Sequence, residues 1–166
     1  MRMKPIFVAT VLSVLAVIAS AGAYAQEEEH HESSNHSSGH HAHKNVVSVF
    51  TGVTHAGRRK NGFALGAAYE RLFTDRFSIG VLAEHTFGDA DFTVYAVPIA
   101  YRFDRWKFYV APGIEDSAKH GTESLVRVAG EYAFMAGSLE ISPQVAVDFV
   151  GSDQVLVIGV VFGKGF

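Results

Sequence analysis

The 166-residue sequence predicts an all-β fold: a transmembrane, eight-stranded, antiparallel up-and-down barrel, preceded by a signal peptide and a disordered His-rich segment. Three observations predict it. From Asn45 onward, strand-length apolar runs are separated by turn residues such as Gly, Asp and Ser. Within these runs large apolar residues alternate with small or charged ones, which is the period of a strand. Sixteen glycines and thirteen phenylalanines favour strands and tight turns, and the absence of cysteine excludes a disulfide scaffold and a thiol nucleophile.

Residues 1–25 have the pattern of an export signal. Arg2 and Lys4 give a basic start, Ile6–Ile18 is an apolar run, and Ala23–Ala25 is a small-x-small cleavage site. The apolar run is shorter than the ~20 residues of a membrane-spanning helix. We therefore expect cleavage that leaves Gln26 as the first mature residue; a retained anchor helix is the alternative.

Residues 26–44 form a His/Glu/Ser-rich segment whose largest apolar side chain is alanine, so it cannot bury a core and is expected to be disordered. Imidazole and carboxylate groups together suit Zn²⁺, Ni²⁺ or Cu²⁺, although the spacing matches no closed structural site. We expect no required cofactor, possible metal binding here, and a plain solvated linker as the alternative. The candidate ligands are His30, His31, His36, His40, His41 and His43.

Residues 45–166 contain eight predicted strands of about ten residues, which suits tilted membrane-spanning strands of ~9–11 residues. An even number of strands closes a small barrel. Pro98, Pro112 and Pro143 cannot donate to a ladder, and we expect bulges or locally broken pairing near them. The predicted strands are about 46–55, 62–71, 76–85, 92–103, 105–115, 122–134, 138–149 and 154–166.

The alternation predicts which face of each strand lies outside. On the second strand Phe63, Leu65 and Tyr69 share one face, opposite Gly66 and Glu70. An eight-stranded barrel is only wide enough inside for side chains, so the bulky residues would overfill it and are expected to face lipid. A soluble secreted β-barrel, with the faces reversed and a small apolar ligand inside, is the alternative.

Charged residues on the smaller face are predicted to lie in the lumen. Buried charges must be paired and hydrogen-bonded, so we expect a salt-bridged plug that includes a Lys107–Glu131 pair. A narrow gated path, and thus a minor pore, is the other possibility. The predicted lumen set is Glu70, Glu84, Arg102, Lys107, Glu115, Arg127, Glu131, Glu140 and Asp148.

The aromatic residues are concentrated near one end of the predicted strands. If both termini lie in the periplasm, most of them fall near the periplasmic rim and form a girdle at one interface. The opposite rim is predicted to have fewer aromatic residues, namely Phe63, Phe92 and Phe149. The girdle set is Tyr69, Phe77, Tyr101, Phe103, Trp106, Tyr132, Phe134, Phe162 and Phe166.

The closing run, residues 154–166, has large apolar residues at its even positions and ends on Phe166. A secreted chain with such a strand resembles bacterial outer-membrane β-barrels, in which the last strand and its terminal Phe are read by the barrel-assembly machinery; Phe162 and Phe166 would carry that signal. Lys164 departs from the family pattern, which has an apolar or aromatic residue there.

Residues 45–166 look like the small eight-stranded outer-membrane barrels, the class of the OmpA membrane domain, OmpX and the opacity-type proteins. The resemblance implies a porin-like, non-enzymatic, monomeric protein of a Gram-negative outer membrane, in contact with its lipids and lipopolysaccharide, with the N-terminal tail in the periplasm. The slightly acidic net charge argues against nucleic-acid binding.

A lipid-modifying outer-membrane enzyme is a further alternative. Some small barrels deacylate lipid A with a His-x-Ser pair and an acidic partner, but Glu84-His85-Thr86 is followed by Phe rather than Ser. Ser117 has only His120 near it in sequence, so no catalytic residue is assigned. Three further histidines near the outer rim, which could form a metal site only if they met, are His55, His85 and His120. Strand parity points His55 and His85 outward, which argues against such a site.

Overall fold

The computed structural model describes residues 44–57, 60–119 and 121–166; the predicted export signal and residues 26–43 of the His-rich segment lie outside them. Within these ranges there is no helix long and apolar enough to cross a membrane. The described chain forms ten strand segments, which are β1 (Asn45–Ala56), β2 (Lys60–Leu72), β3 (Phe77–Gly88), β4 (Phe92–Ala96), β5 (Ile99–Phe103), β6 (Trp106–Ser117), β7 (Gly121–Tyr132), β8 (Phe134–Ala136), β9 (Leu139–Val150) and β10 (Asp153–Gly165).

The sheet closes on itself. β1 pairs with β2 on one side and with β10 on the other, where Val46 lies opposite Gly165 and Ala56 opposite Val155. β4 and β5 occupy one strand position between β3 and β6, and β7 and β8 occupy another beside β9. The described residues therefore form a closed antiparallel barrel of eight strand positions, as the sequence predicts.

Pro98 lies in the gap between β4 and β5. Ala96 pairs with Gly113 and Ile99 pairs with Val110, so the two segments continue one register along β6. A bulge would have shifted that register by one residue. The proline thus interrupts the ladder, because it has no N–H to donate, without displacing the strand.

Pro143 accounts for the second interruption. β7 ends at Tyr132 and β8 begins at Phe134, and both pair with β9 in one continuous register. That register places Tyr132 opposite Pro143. Pro112 lies within β6 and stays in register with β7, but on its other edge it lies opposite Val97, in the gap between β4 and β5. Locally broken pairing therefore occurs beside all three prolines, and the bulges expected as the other possibility do not form there.

The two faces of β3 differ as the alternation predicts, whereas β9 departs from the pattern because residues 144–148 are all buried. In β3, Phe77, Ile79 and Val81 are exposed, whereas Ser78 and Glu84 are buried. The outer surface is thus large and apolar, and the lumen holds polar and charged side chains together with apolar ones such as Phe50 and Val157. The soluble alternative, which required bulky residues inside and charges outside, is wrong on this point.

The aromatic girdle forms at the terminal end of the barrel, defined here as the end where β1 begins and β10 finishes. Phe77 lies 5.1 Å from Tyr101 between ring centroids, and Tyr132 lies 4.9 Å from Trp106 and 5.0 Å from Phe134. The Phe77–Tyr101 and Trp106–Tyr132 contacts link adjacent strands, whereas the Tyr132–Phe134 contact continues along one strand position. Aromatic pairs at such distances contribute beyond their buried area.

The opposite end carries fewer aromatic residues. Phe63 and Phe87 are exposed and stack with their centroids 6.3 Å apart. Phe92, expected at this outer rim, is instead buried in the lumen. The expectation was wrong because Phe92 has the inward parity of Val94 in β4, not the outward parity of Tyr95.

Candidate functional site: paired charges in the lumen

All nine predicted lumen residues point inward, to different depths. The half-buried members are Arg102, Glu115 and Glu140. The buried members are Glu70, Glu84, Lys107, Arg127, Glu131 and Asp148. Eight of the nine make ion pairs, and they fall into two groups.

The Arg127 cluster consists of Arg127, Glu84 and Asp148. Arg127 donates from Nε to Asp148 Oδ1 at 2.6 Å and from Nη2 to Asp148 Oδ2 at 2.8 Å. It also donates from Nη1 to Glu84 Oε2 at 2.8 Å and from Nη2 to Glu84 Oε1 at 3.0 Å. The guanidinium is therefore held by two bidentate carboxylates, the geometry that arginine supports best.

The Lys107 cluster consists of Lys107, Glu70, Glu131, Arg102 and Glu140. Lys107 Nζ lies 2.7 Å from Glu70 Oε1 and 2.8 Å from Glu131 Oε2, so the pair expected from sequence is present. Arg102 Nη2 contacts Glu70 Oε2 at 3.2 Å, and its Nη1 lies 3.6 Å from Glu140 Oε2. Glu70 joins both cations, because β2 faces β5 and β6 across the lumen.

Both clusters cross the lumen rather than merely lining it. Arg127 and Asp148 are register partners on adjacent strands, as are Lys107 and Glu131. Glu84 on β3 and Glu70 on β2, however, belong to strands that are not neighbours of β7 or β6. Each cluster thus joins opposing walls of the barrel.

The lumen carries more carboxylates than cations. The Arg127 cluster has two acids for one base, and the Lys107 cluster has three acids for two bases. Glu115 adds a half-buried carboxylate with no ion pair among the described residues. Any ion that entered the lumen would therefore meet a negative potential.

Little free space remains around the clusters. One cavity of about 30 Å³ touches both of them, with Ser48, Phe50 and Gln144 on its wall. A water needs ~10–15 Å³ by this measure, so the cavity holds about two. A second cavity, of about 160 Å³, opens at the terminal end between Arg102, Trp106 and Glu140.

Lumen residues that sequence reasoning did not single out include Phe50. Its ring lies over Gly52 and Gly159, which face each other between β1 and β10. A Cβ added to either glycine would lie 2.6 Å from Phe50 Cζ. The sequence pattern that would indicate this group is two glycines on the inward faces of paired strands, next to one inward aromatic residue.

The candidate metal and catalytic residues do not form a site in the described chain. His30, His31, His36, His40, His41 and His43 lie outside the described residues, as does His120. Among residues 44–57, 60–119 and 121–166 no three His, Cys, Asp or Glu side chains are grouped to hold a metal ion. His55 pairs with Asn61, on the outside.

His85 and Glu84, adjacent in the sequence, lie on opposite faces of β3. Glu84 binds Arg127 inside the lumen, whereas His85 Nδ1 contacts Thr93 Oγ1 at 2.9 Å. His85 Nε2 lies 3.8 Å from the exposed Asp91 Oδ1. The two residues therefore cannot act as an acid–base pair with each other.

No family model and no curated protein matches this chain. Solved structures do resemble it. Neisserial surface protein A aligns at 12% identity with a TM-score of 0.56, covering 74% of this chain and 97% of that one. The N-terminal β-barrel domain of Pseudomonas aeruginosa OprF aligns at 12% identity with a TM-score of 0.53, covering 74% and 98%.

Ail, the attachment invasion locus protein of Yersinia pestis, aligns at 13% identity with a TM-score of 0.51, covering 74% of this chain and 97% of that one. These three neighbours are small eight-stranded outer-membrane barrels. At this level of identity the likeness extends to the fold. The fold of the described residues is therefore that of the small eight-stranded outer-membrane β-barrels.

Proposed function

We propose that this chain is an integral outer-membrane β-barrel of a Gram-negative bacterium, non-enzymatic, with a structural role and a lumen closed by paired charges. The observation that carries the proposal is that the barrel has an apolar outer surface and charged side chains inside, the reverse of a soluble protein. Bulky apolar side chains cover the outside, whereas the paired acidic and basic side chains lie inside, beside an apolar cluster. In water the exposed apolar area would cost ~25 cal/mol per Å², whereas in a bilayer it meets hydrocarbon.

Closure of the sheet supports the same proposal. A bilayer core offers no water to unpaired N–H and C=O groups, so only helices and closed barrels can span it. The pairing of β1 with β10 removes the free edges of this sheet.

The orientation we propose places both termini, and the His-rich tail, in the periplasm. An even number of hairpin-linked strands brings both ends of the barrel to one side. Phe162 and Phe166 are exposed at that end and would be read by the barrel-assembly machinery. Outer-membrane lipids and lipopolysaccharide are the remaining partners, the protein acts as a monomer, and the tail gathers Zn²⁺, Ni²⁺ or Cu²⁺ only as an accessory property.

Membrane residence is tested by refolding the full chain into lipid vesicles. We expect alkali-resistant association, protection from protease, and gel mobility that changes on heating because a closed barrel resists detergent until boiled. A full chain that stays folded and monomeric in buffer without detergent would contradict the proposal. Lipid A mass analysis after expression tests the enzyme alternative, and unchanged acylation is the expected result.

A further inference from the structure

Two cations lie within the outward, otherwise apolar surface at the terminal end. Lys164 shares the outward face of β10 with Phe162, and Arg71 shares the outward face of β2 with Tyr69. Val47 on β1 is the register partner of both Lys164 and Tyr69. The residues are therefore close neighbours on three adjacent strands.

Both cations are exposed, and neither makes an ion pair with any residue in the described part of the chain. Glu70, which precedes Arg71, points into the lumen and is bound there by Lys107 and Arg102. The nearest carboxylate in sequence thus cannot neutralise Arg71. Among the described residues, no carboxylate side chain therefore neutralises either cation.

The surface also has a fixed polar group. The Tyr69 hydroxyl donates to Asn45 Oδ1 at 2.9 Å, and Asn45 is the register partner of Arg71. This hydrogen bond holds the phenol ring at the rim, where tyrosine marks the boundary between hydrocarbon and headgroups. Arg71 lies two residues farther toward the terminal end, where the headgroups of a surrounding bilayer would begin.

We propose that this patch, made of Arg71, Lys164, Tyr69 and Asn45, binds the phosphate of an anionic phospholipid in the leaflet at the terminal end. The inference rests on the proposed function, since it requires a membrane around the barrel. Arginine matches phosphate oxygens with its planar fork, and lysine adds a point charge. A lipid, unlike free phosphate, also brings acyl chains to the apolar side chains of Val47 and Phe162.

The test is native mass spectrometry of the full chain released from nanodiscs of equal phosphatidylglycerol and phosphatidylcholine. Wild type should retain phosphatidylglycerol preferentially. The R71Q/K164Q variant should lose roughly tenfold or more of that preference, because each cation near an anionic surface contributes about a fivefold effect. K119Q is the matched control, since it removes an exposed cation at the opposite end.

Three outcomes would overturn the inference: no preference in wild type, an unchanged preference in R71Q/K164Q, or an equal loss in K119Q. Displacement of the retained lipid by an equimolar amount of inorganic phosphate would also overturn it, because the acyl-chain contacts would then contribute nothing and the patch would be assigned to a free anion. Heat-modifiable mobility of each variant checks that the barrel has formed. A wild type that fails to enter nanodiscs refutes the proposed function instead, so the two failures are distinguishable.

Discussion

Arg127 and Glu84 meet across the lumen through two hydrogen bonds, of 2.8 and 3.0 Å, although they are 43 residues apart in the chain. Asp148 holds the same guanidinium from the adjacent strand. All three side chains are buried, so their desolvation is offset only while the full set of bonds is made. The cluster therefore makes barrel closure and charge pairing interdependent.

Replacing Arg127 alone should strongly destabilise the barrel. Arg127→Met leaves Glu84 and Asp148 buried without their cation, and we expect a loss of about 3–5 kcal/mol in unfolding free energy. Urea titration of the refolded protein in vesicles measures it. The matched triple variant R127M/E84Q/D148N removes the charges together and should recover part of the loss. Equal destabilisation of the single and triple variants would argue against an electrostatic origin.

Lys107 and Glu131 should behave as a coupled pair. Lys107→Met leaves the carboxylates of Glu70 and Glu131 without their shared cation, whereas the further change Glu131→Gln removes one of these two charges. The double variant should therefore be less destabilised than the sum of the single variants, by about 0.5–3 kcal/mol of coupling. A double-mutant cycle from urea unfolding gives this quantity. Strict additivity would contradict the direct contact of 2.8 Å between the two side chains.

Gly159 should not tolerate a methyl group. The Cβ of Gly159→Ala would lie 2.6 Å from Phe50 Cζ and would also press on the backbone of β1, so we expect about 1–3 kcal/mol of destabilisation. Gly163→Ala is the control on the same face of β10, because its nearest contacts would be at 3.7 Å. F50L/G159A should recover only part of the loss. Equal tolerance of both alanines, measured by urea unfolding, would disprove this packing.

Metal binding should depend entirely on the His-rich segment. The barrel has no three-ligand group in its described residues, so deleting residues 26–44 should abolish Zn²⁺, Ni²⁺ and Cu²⁺ binding by the refolded protein. Isothermal titration of the full and shortened chains measures this. Equal binding by the two chains would refute the prediction.

Much of the barrel follows from residue patterns, because strand parity is a local property. The alternation in β3 and the closing pair of β1 and β10 needed only the sequence and the strand count. The Lys107–Glu131 contact followed because these residues face the same lumen from consecutive strands. Phe92 was misplaced because its position at a strand end was considered without its parity.

Contacts between strands that are not neighbours could not be predicted in the same way. Whether Glu84 meets Arg127 or Lys107 depends on the stagger of all strands between β3 and β7, which no single run of residues specifies. Phe50 over Gly52 and Gly159 depends likewise on the register at closure. Sequence patterns therefore predict which groups enter the lumen, while the partners follow from the three-dimensional register.

The central claim, that paired charges close the lumen, is tested most directly by planar-bilayer conductance of the refolded full chain. Because the Arg127 and Lys107 clusters join opposing walls and the cavity between them is about 30 Å³, wild type should pass no steady ionic current. A stable, reproducible single-channel current from wild type would contradict the account and assign the lumen to a pore.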